Sequence, residues 1–220
     1  MYRYLFFDLD GTLTDSKEGI INSVRYALGK MGLPVPEPSV LLNFIGPPLH
    51  EGYMEYCGLS REQALEGVTL FRERYNVTGY LENAAAPGML ELCRRLKEKG
   101  FVMAVASSKP ECMCLPICQR FGFADVMDVI VGSQPGEDWK KADVIRETMR
   151  RLNLSEDDKP AILMIGDRKF DVLGAKECGI DCAGVEFFGY AAPGELKDAG
   201  AVAVADTVGA LEQFILRHAE

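Results

Sequence analysis

Two aspartates follow the first apolar segment of the chain, in the sequence Phe6-Phe7-Asp8-Leu9-Asp10-Gly11. The apolar residues favour a buried strand, so both carboxylates are expected at its carboxyl end, where open α/β sheets bind their ligands. There the first carboxylate can attack phosphorus while the second moves a proton. The same residues also suit an acidic turn with Asp10-Gly11 at its corner, so this segment alone leaves both interpretations open.

A second acidic pair follows a later apolar segment, in Ile165-Gly166-Asp167-Arg168-Lys169-Phe170-Asp171. On a helix, this spacing would place the carboxylates of Asp167 and Asp171 on one face. Carboxylate oxygens suit Mg²⁺, which keeps several waters and a substrate phosphate in its coordination shell. The alternative is that Asp167 only caps the N-terminus of the next helix.

A serine lies where another strand is expected to give way to a helix. Ser107 occurs in Val105-Ala106-Ser107-Ser108-Lys109-Pro110, with Pro110 expected at the first helical position. A hydroxyl group and free backbone N–H groups at a helix start can bind an anion. Ser107 could equally be a simple N-cap.

A lysine is expected near the start of a further helix, in the segment that begins Gly136-Glu137-Asp138-Trp139-Lys140-Lys141. Helical periodicity puts Lys141 on a mostly core-facing stripe with Ile145, Thr148 and Leu152. Lys140 shares a mostly solvent-facing stripe with Val144, Glu147 and Arg151. Lys141 is therefore the better choice to reach a buried phosphoryl group, against the alternative of a solvated surface charge.

The elements that must position these side chains alternate along the chain. Apolar segments that favour strands are Tyr2–Phe7, Phe101–Ala106, Val126–Val131, Ala161–Ile165, Cys182–Val185 and Ala201–Ala205. Helical patterns between and after them are Pro87–Lys99, Pro110–Phe121, Lys140–Leu152, Phe170–Cys178 and Val208–His218. This alternation predicts an α/β fold, with a Rossmann-like parallel sheet and helices on both faces.

The interval from Ser16 to about Ala86 interrupts the alternation. It predicts no strand and four helices, at Ser16–Met31, Ser39–Phe44, Leu49–Cys57 and Ser60–Tyr80. Ser16 is expected to cap the first of these helices. The chain is therefore predicted to have a core domain, residues 1–15 and 87–220, and an inserted all-helical cap domain, residues 16–86.

Taken together, the four segments resemble the motifs of the haloacid dehalogenase-like hydrolase superfamily. The first motif matches Asp8-Leu9-Asp10-Gly11-Thr12, the second Ser107, the third Lys141, and the fourth Gly166-Asp167 with Asp171. The resemblance spans nearly the whole chain, and the helical insertion is similar to the C1 cap of that superfamily. Within it, the chain most resembles the phosphoglycolate phosphatase-like branch.

The resemblance implies a role for each matched residue. Asp8 would be the nucleophile, and Asp10 would protonate the leaving oxygen and then activate water. Lys141 would also neutralise Asp8. The residues implied at the phosphate are Ser107, Ser108, Lys141 and Gly11. The residues implied at a bound Mg²⁺ are Asp8, Asp10 through its backbone carbonyl, Asp167, and Asp171 directly or through water.

The expected function is Mg²⁺-dependent hydrolysis of a small phosphorylated metabolite through an aspartyl-phosphate, as in phosphoglycolate phosphatases. A nucleoside 5'-monophosphatase, a sugar phosphatase, a sugar phosphomutase and a non-enzymatic phosphate-sensing module stay open as alternatives. Asp10 argues against the dehalogenases, whose leaving group needs no proton. No Gly-x-Gly-x-x-Gly follows the first strand, which argues against a dinucleotide-binding dehydrogenase.

Substrate choice is expected to come from the predicted cap. The segment Phe44-Ile45-Gly46-Pro47-Pro48-Leu49-His50 suggests a rigid loop that could face the site. The specificity residues it offers are Gly46, Pro47, Leu49 and His50. The alternative is a plain turn between helices.

Bulk properties narrow the partners further. The formal net charge is −9 and no dense cluster of Lys or Arg occurs, which argues against a nucleic-acid partner. No apolar run is long enough to span a membrane and the N-terminus does not resemble a signal peptide, so a cytoplasmic location is expected. The seven cysteines favour free thiols over a disulfide framework or a metal cluster at Cys112, Cys114 and Cys118. A monomer or small homo-oligomer is expected.

Overall fold

The chain divides into two compact units in the computed structural model, which describes residues 1–134 and 139–219. One unit contains Met1–Thr14 and Ala85–Glu220, and the other contains Asp15–Ala84. The corresponding boundaries were predicted at Asp15 and Pro87. Residues Gly136, Glu137 and Asp138, at the start of the segment that carries Lys141, lie outside the described residues.

The first unit is built on a six-stranded sheet in the order β5-β4-β1-β6-β7-β8, in which all neighbouring strands are parallel. The strands of the chain are β1 Tyr4–Phe7, β2 Thr14–Asp15, β3 Ala84–Ala85, β4 Val102–Pro110, β5 Val129–Ser133, β6 Ile162–Gly166, β7 Asp181–Val185 and β8 Ala203–Ala205. Phe7 pairs with Val105 on one side and Ile165 on the other. This register brings the carboxyl ends of β4, β1 and β6 together.

Helices connect these strands and bury their apolar residues. In the sheet unit the helices are α5 Met89–Glu98, α6 Glu111–Phe121, α7 Lys141–Arg151, α8 Lys169–Cys178, α9 Glu195–Ala199 and α10 Val208–Arg217, with 3₁₀ turns at Phe123–Asp125 and Glu156–Ala161. Every residue of β6 is buried, as expected for a strand covered on both faces. The predicted fold class, a parallel α/β sheet with helices, is confirmed.

The second unit is helical. Its helices are α1 Lys17–Lys30, α2 Pro38–Leu41, α3 Leu49–Cys57 and α4 Arg61–Tyr75, with 3₁₀ turns at Leu42–Phe44 and Gly79–Leu81. Ser60 and Gln63 form a capping box at the start of α4. No helix among the residues that the structure describes is long and apolar enough to cross a membrane.

The predicted absence of strands between residues 16 and 86 is wrong, because β3 lies in this interval and forms a two-stranded sheet with β2. A two-residue strand has no hydrophobic periodicity to detect. The predicted helix Ser60–Tyr80 also ends early, at Tyr75. A separate 3₁₀ turn follows at Gly79–Leu81, where Gly79 packs so closely on Ser23 and Tyr75 that a Cβ atom would collide with them.

The structure can be compared with the predicted starts of two helices, α1 and α6. Ser16 occupies the N-cap position of α1, but its hydroxyl makes no capping hydrogen bond. Pro110 is the N-cap of α6 and not its first helical residue, because β4 continues to Pro110. The short helix α9 was not predicted, since five residues between loops are too few to show a periodic pattern.

Candidate active site

Three buried carboxylates meet at the carboxyl end of the sheet. Asp8 follows β1, Asp167 follows the neighbouring strand β6, and Asp171 lies in the first turn of α8. One carboxylate oxygen from each lies within 4.8 Å of the other two. The structure therefore brings together three of the residues that sequence analysis implied at a metal ion.

Glycines make this close approach possible. A Cβ atom at Gly166 would overlap the carboxyl group of Asp171, and one at Gly11 would overlap that of Asp167. Gly11 also has φ +83°, a left-handed conformation that glycine adopts without steric cost. We therefore find Gly11 beside the carboxylates, while contact with a phosphate stays a prediction.

The start of α8 positions Asp171 differently from the prediction. Arg168 is the N-cap, and its backbone N–H donates to Asp171 Oδ2 at 3.1 Å. Asp167 thus precedes the helix and is not its N-cap. The idea that Asp167 and Asp171 share one helical face is wrong, because Asp167 extends from the strand end and meets Asp171 across the loop.

Lys141 links two of the carboxylates. Its Nζ lies 2.9 Å from Asp8 Oδ1 and 2.8 Å from Asp171 Oδ1, and it donates to the carbonyl oxygen of Ala106 at 3.0 Å. Lys141 is buried and Lys140 is exposed, which is the orientation that helical periodicity predicts. Burial alone would lower the pKa of Lys141, but Asp171 and Asp8 raise it above its usual range, so the ammonium group stays charged.

Burial and mutual repulsion act on the carboxylates themselves. Burial raises the pKa of Asp167 well above its ordinary value, and the charges of Asp171 and Asp8 raise it further. Burial also raises the pKa of Asp171, to about 6, although Lys141 opposes this shift. One lysine therefore does not offset the three negative charges.

The donor set fits a hard divalent cation. Asp167 Oδ2 is buried and has no hydrogen-bond partner among the described residues. Buried carboxylate oxygens without partners are costly, and a cation that accepts oxygen ligands removes this cost. Asp8, Asp167 and Asp171 could therefore hold Mg²⁺.

Asp10 lies on the turn that follows Asp8. Its Oδ2 accepts a hydrogen bond from Lys109 Nζ at 2.5 Å, while its Oδ1 is buried without a hydrogen-bond partner among the described residues. The turn is closed by the Gly11 N–H, which donates to the Thr14 carbonyl at 2.7 Å. Among the described residues, one carboxylate oxygen of Asp10 is therefore hydrogen-bonded to Lys109 and the other has no hydrogen-bond partner.

Ser107 is buried directly after the regular part of β4. Its Oγ accepts the backbone N–H of Lys109 at 3.3 Å, and the pairing of β4 with β5 becomes irregular between Ala106 and Pro110. Since Pro110 is the N-cap of α6, Ser107 does not cap that helix. Ser108, also implied at the phosphate, is half-buried beside it.

Sequence reasoning missed three polar contacts at this end of the sheet. Lys109 pairs with Asp10, and the Thr12 hydroxyl donates to Asp167 Oδ1 at 3.4 Å. Arg168 forms a buried ion pair with Glu195, at 2.9 Å between Nε and Oε1. Lys109, Thr12 and Arg168 lie inside the motif segments, but their partners are far along the chain and no spacing rule identifies them.

The predicted specificity residues all lie in the helical unit. Gly46 and Pro47 lie between the 3₁₀ turn Leu42–Phe44 and α3, whereas Leu49 and His50 belong to the first turn of α3. The predicted loop therefore ends at Pro48. All four residues are half-buried, and their part in substrate choice stays a prediction.

The chain belongs to the haloacid dehalogenase-like hydrolases. The model of that family matches residues 5–185, which include Asp8, Ser107, Lys141 and both acids of the fourth motif. Membership in the superfamily, which the motifs predicted, is confirmed.

Several relatives are similar to most of this chain. A 5'-nucleotidase of Pseudomonas aeruginosa is 37% identical over 99% of this chain and 97% of its own length. The tyrosine-protein kinase PtkA of Mycobacterium tuberculosis is 38% identical over 81% of this chain but only 60% of its own length. The crystal structure of a predicted phosphatase from Clostridium acetobutylicum has a TM-score of 0.92 and 41% identity, with 99% of each chain covered.

Proposed function

We propose that this protein is a Mg²⁺-dependent phosphatase that hydrolyses small phosphate monoesters through an aspartyl-phosphate on Asp8. The observation that carries the proposal is the buried bridge from Lys141 to Asp8 and Asp171, beside the unpartnered oxygen of Asp167. Phosphoryl transfer depends mainly on positioning and on neutralising charge around the phosphoryl oxygens. A fixed lysine and a divalent cation at this point would supply both.

In the proposed mechanism, Asp8 attacks the phosphorus atom and the bond to the leaving oxygen breaks. Asp10 gives a proton to that oxygen, and afterwards takes a proton from the water that hydrolyses the aspartyl-phosphate. Lys141 and Ser107 hold the phosphoryl oxygens. Mg²⁺, held by Asp8, Asp167, Asp171 and the Asp10 carbonyl, would lower the repulsion between Asp8 and the phosphate when bound.

The substrate class that we favour is the nucleoside 5'-monophosphates. The support is the 37% identity, over nearly the full length of both chains, to a protein named 5'-nucleotidase. Phosphoglycolate, suggested by the branch that the motifs resemble, is the second choice. A sugar phosphomutase would use the same acids but would return an isomer of its substrate in place of free phosphate.

The test is a panel of nucleoside monophosphates, phosphoglycolate and sugar phosphates, assayed for released inorganic phosphate with and without Mg²⁺. We expect turnover that vanishes in EDTA, with the highest kcat/KM on a nucleoside monophosphate. Asp8→Asn should lower turnover at least ~10³-fold while the circular dichroism spectrum stays unchanged, because the amide cannot form the covalent intermediate. Turnover that persists in chelator or in Asp8→Asn would refute the mechanism.

A further inference from the structure

Lys109 forms an ion pair with the side chain of Asp10. Its Nζ binds Asp10 Oδ2, and the two side chains are only 7% and 12% exposed. The Lys109 backbone is fixed as well, since its N–H donates to Ser107 and its carbonyl accepts the Cys114 thiol at 3.5 Å. The lysine therefore projects toward Asp10 from an immobilised peptide.

The position of Lys109 is not explained by the helix that follows it. Lys109 lies two residues before Glu111, where α6 begins. A positive charge at the N-terminal end of a helix is unfavourable, because it faces the positive end of the helix dipole. The contact with the Asp10 carboxylate offsets this cost, which suggests that the lysine is placed for Asp10.

The two carboxylate oxygens of Asp10 have different surroundings. Lys109 holds Oδ2, while Oδ1 is buried and has no hydrogen-bond partner among the described residues. A carboxylate that transfers a proton needs one oxygen directed at the reacting atom and its rotation restricted. Misplacement by about 1 Å can cost on the order of 100-fold in rate.

We propose that Lys109 is a positioning residue for the general acid and base, which fixes the Asp10 carboxylate so that Oδ1 is directed at the leaving oxygen. This inference rests on the proposed function, in which Asp10 transfers the proton. It assigns Lys109 no contact with the phosphoryl group or the metal ion.

The test uses leaving groups that differ in their need for a proton. For Lys109→Met, kcat/KM on a nucleoside monophosphate, whose alkoxide is a poor leaving group, should fall by about 100-fold. On acetyl phosphate, whose leaving group departs without protonation, it should fall by only about 3-fold. Lys109→Arg should recover much of the loss, and the exposed Lys99→Met should match wild type on both substrates.

The outcomes separate this inference from the proposed function. If wild type hydrolyses both esters and Lys109→Met loses the same factor on each, Lys109 only supports the fold or binds phosphate, and the inference is overturned. The inference is also overturned if Lys109→Met needs a higher Mg²⁺ concentration than wild type for half-maximal activity, because weaker metal binding would then explain the loss of activity. If wild type hydrolyses neither ester, the proposed function fails and the inference falls with it.

Discussion

The carboxylates around Asp8 can carry more negative charge than Lys141 offsets. Three buried carboxylates lie together, and Lys141 contacts only two of them. The excess of negative charge would be unfavourable in a folded protein unless protons or a cation offset it. A bound phosphate ester would add to that excess.

We therefore predict that Mg²⁺ stabilises the free protein before any substrate is present. At about 100 times its Kd, a ligand that binds only the native state adds about 2.7 kcal/mol, so the melting temperature should rise by several degrees. In Asp167→Ala the Mg²⁺ effect should be mostly lost, and the exposed control Asp157→Asn should keep it. Ca²⁺ should also stabilise the fold but inhibit turnover, because its larger shell misplaces the attacking carboxylate. Equal Mg²⁺ shifts in wild type and Asp167→Ala would exclude Asp167 as a ligand.

Residues whose type and local pattern carry information could be identified from the sequence. Helical periodicity separated Lys141 from Lys140, and both acids of the fourth motif could be read directly. Lys109 could not be found, because its partner Asp10 is 99 residues away and only the register of β4 beside β1 brings them together.

At the scale of elements, the ion pair between Arg168 and Glu195 ties the start of α8 to α9. Glu195 accepts hydrogen bonds from Arg168 Nε at 2.9 Å, from the Lys169 N–H at 2.9 Å and from the Ala192 N–H at 3.2 Å. These contacts fix the backbone that follows Asp167. Burial alone would raise the pKa of Glu195, but the hydrogen bonds from Arg168 and Lys169 lower it below its ordinary value.

We predict that Glu195→Gln destabilises the protein by about 2 kcal/mol at about pH 7, because the buried guanidinium group of Arg168 loses its ion pair with Glu195. The stabilisation by Glu195 requires its carboxylate, so it is complete above the unfolded pKa of 4.5 and is lost as the pH falls through the lower folded pKa. The difference in melting temperature between wild type and Glu195→Gln should therefore shrink as the pH falls below 4.5. A difference that is constant or grows toward low pH would contradict the ion-pair account.

The long strands could be predicted from the sequence, but very short elements and the ends of some helices could not. All six strands of the large sheet were expected within a few residues, because apolar runs bounded by turns identify buried parallel strands. The two-residue strands and the five-residue helix α9 were missed, since neither is long enough to show a period. The helix predicted to reach Tyr80 ends at Tyr75 with Asn76 at its C-cap, and a separate 3₁₀ turn covers Gly79–Leu81.

In the whole molecule, the chain divides into a unit built on the six-stranded sheet and a helical unit. The carboxylates, Lys141 and Ser107 belong to the first unit, and the residues predicted to select the substrate belong to the second. From this division we expect that the proposed catalysis and the predicted substrate selection can be altered separately. Two domains were predicted because the interval from Ser16 to about Ala86 interrupts the alternation of strands and helices, but this pattern carries no information about the shape of the substrate.

We predict that Leu49→Ala and His50→Ala change substrate preference more than they change the hydrolysis of acetyl phosphate. The reason is that a minimal ester offers the cap no leaving-group surface to contact. The measurement is kcat/KM for each variant on a nucleoside monophosphate, a sugar phosphate and acetyl phosphate, with the exposed Glu66→Ala in α4 as control. Equal losses on all three esters would mean that residues 49 and 50 support folding and do not contact the leaving group.

Capture of the phosphoryl group on Asp8 would show the proposed mechanism itself. Asp10→Asn should accept a phosphoryl group from acetyl phosphate, which needs no acid, but should hydrolyse it slowly because the general base is missing. The reaction is run with Mg²⁺ and then quenched with acid. Mass spectrometry of the peptides should find one phosphoryl group, on Asp8. The adduct should be absent in the double variant with Asp8→Asn and in EDTA. Steady phosphate release by wild type with no adduct on Asp8 in Asp10→Asn, or an adduct on another residue, would contradict the account.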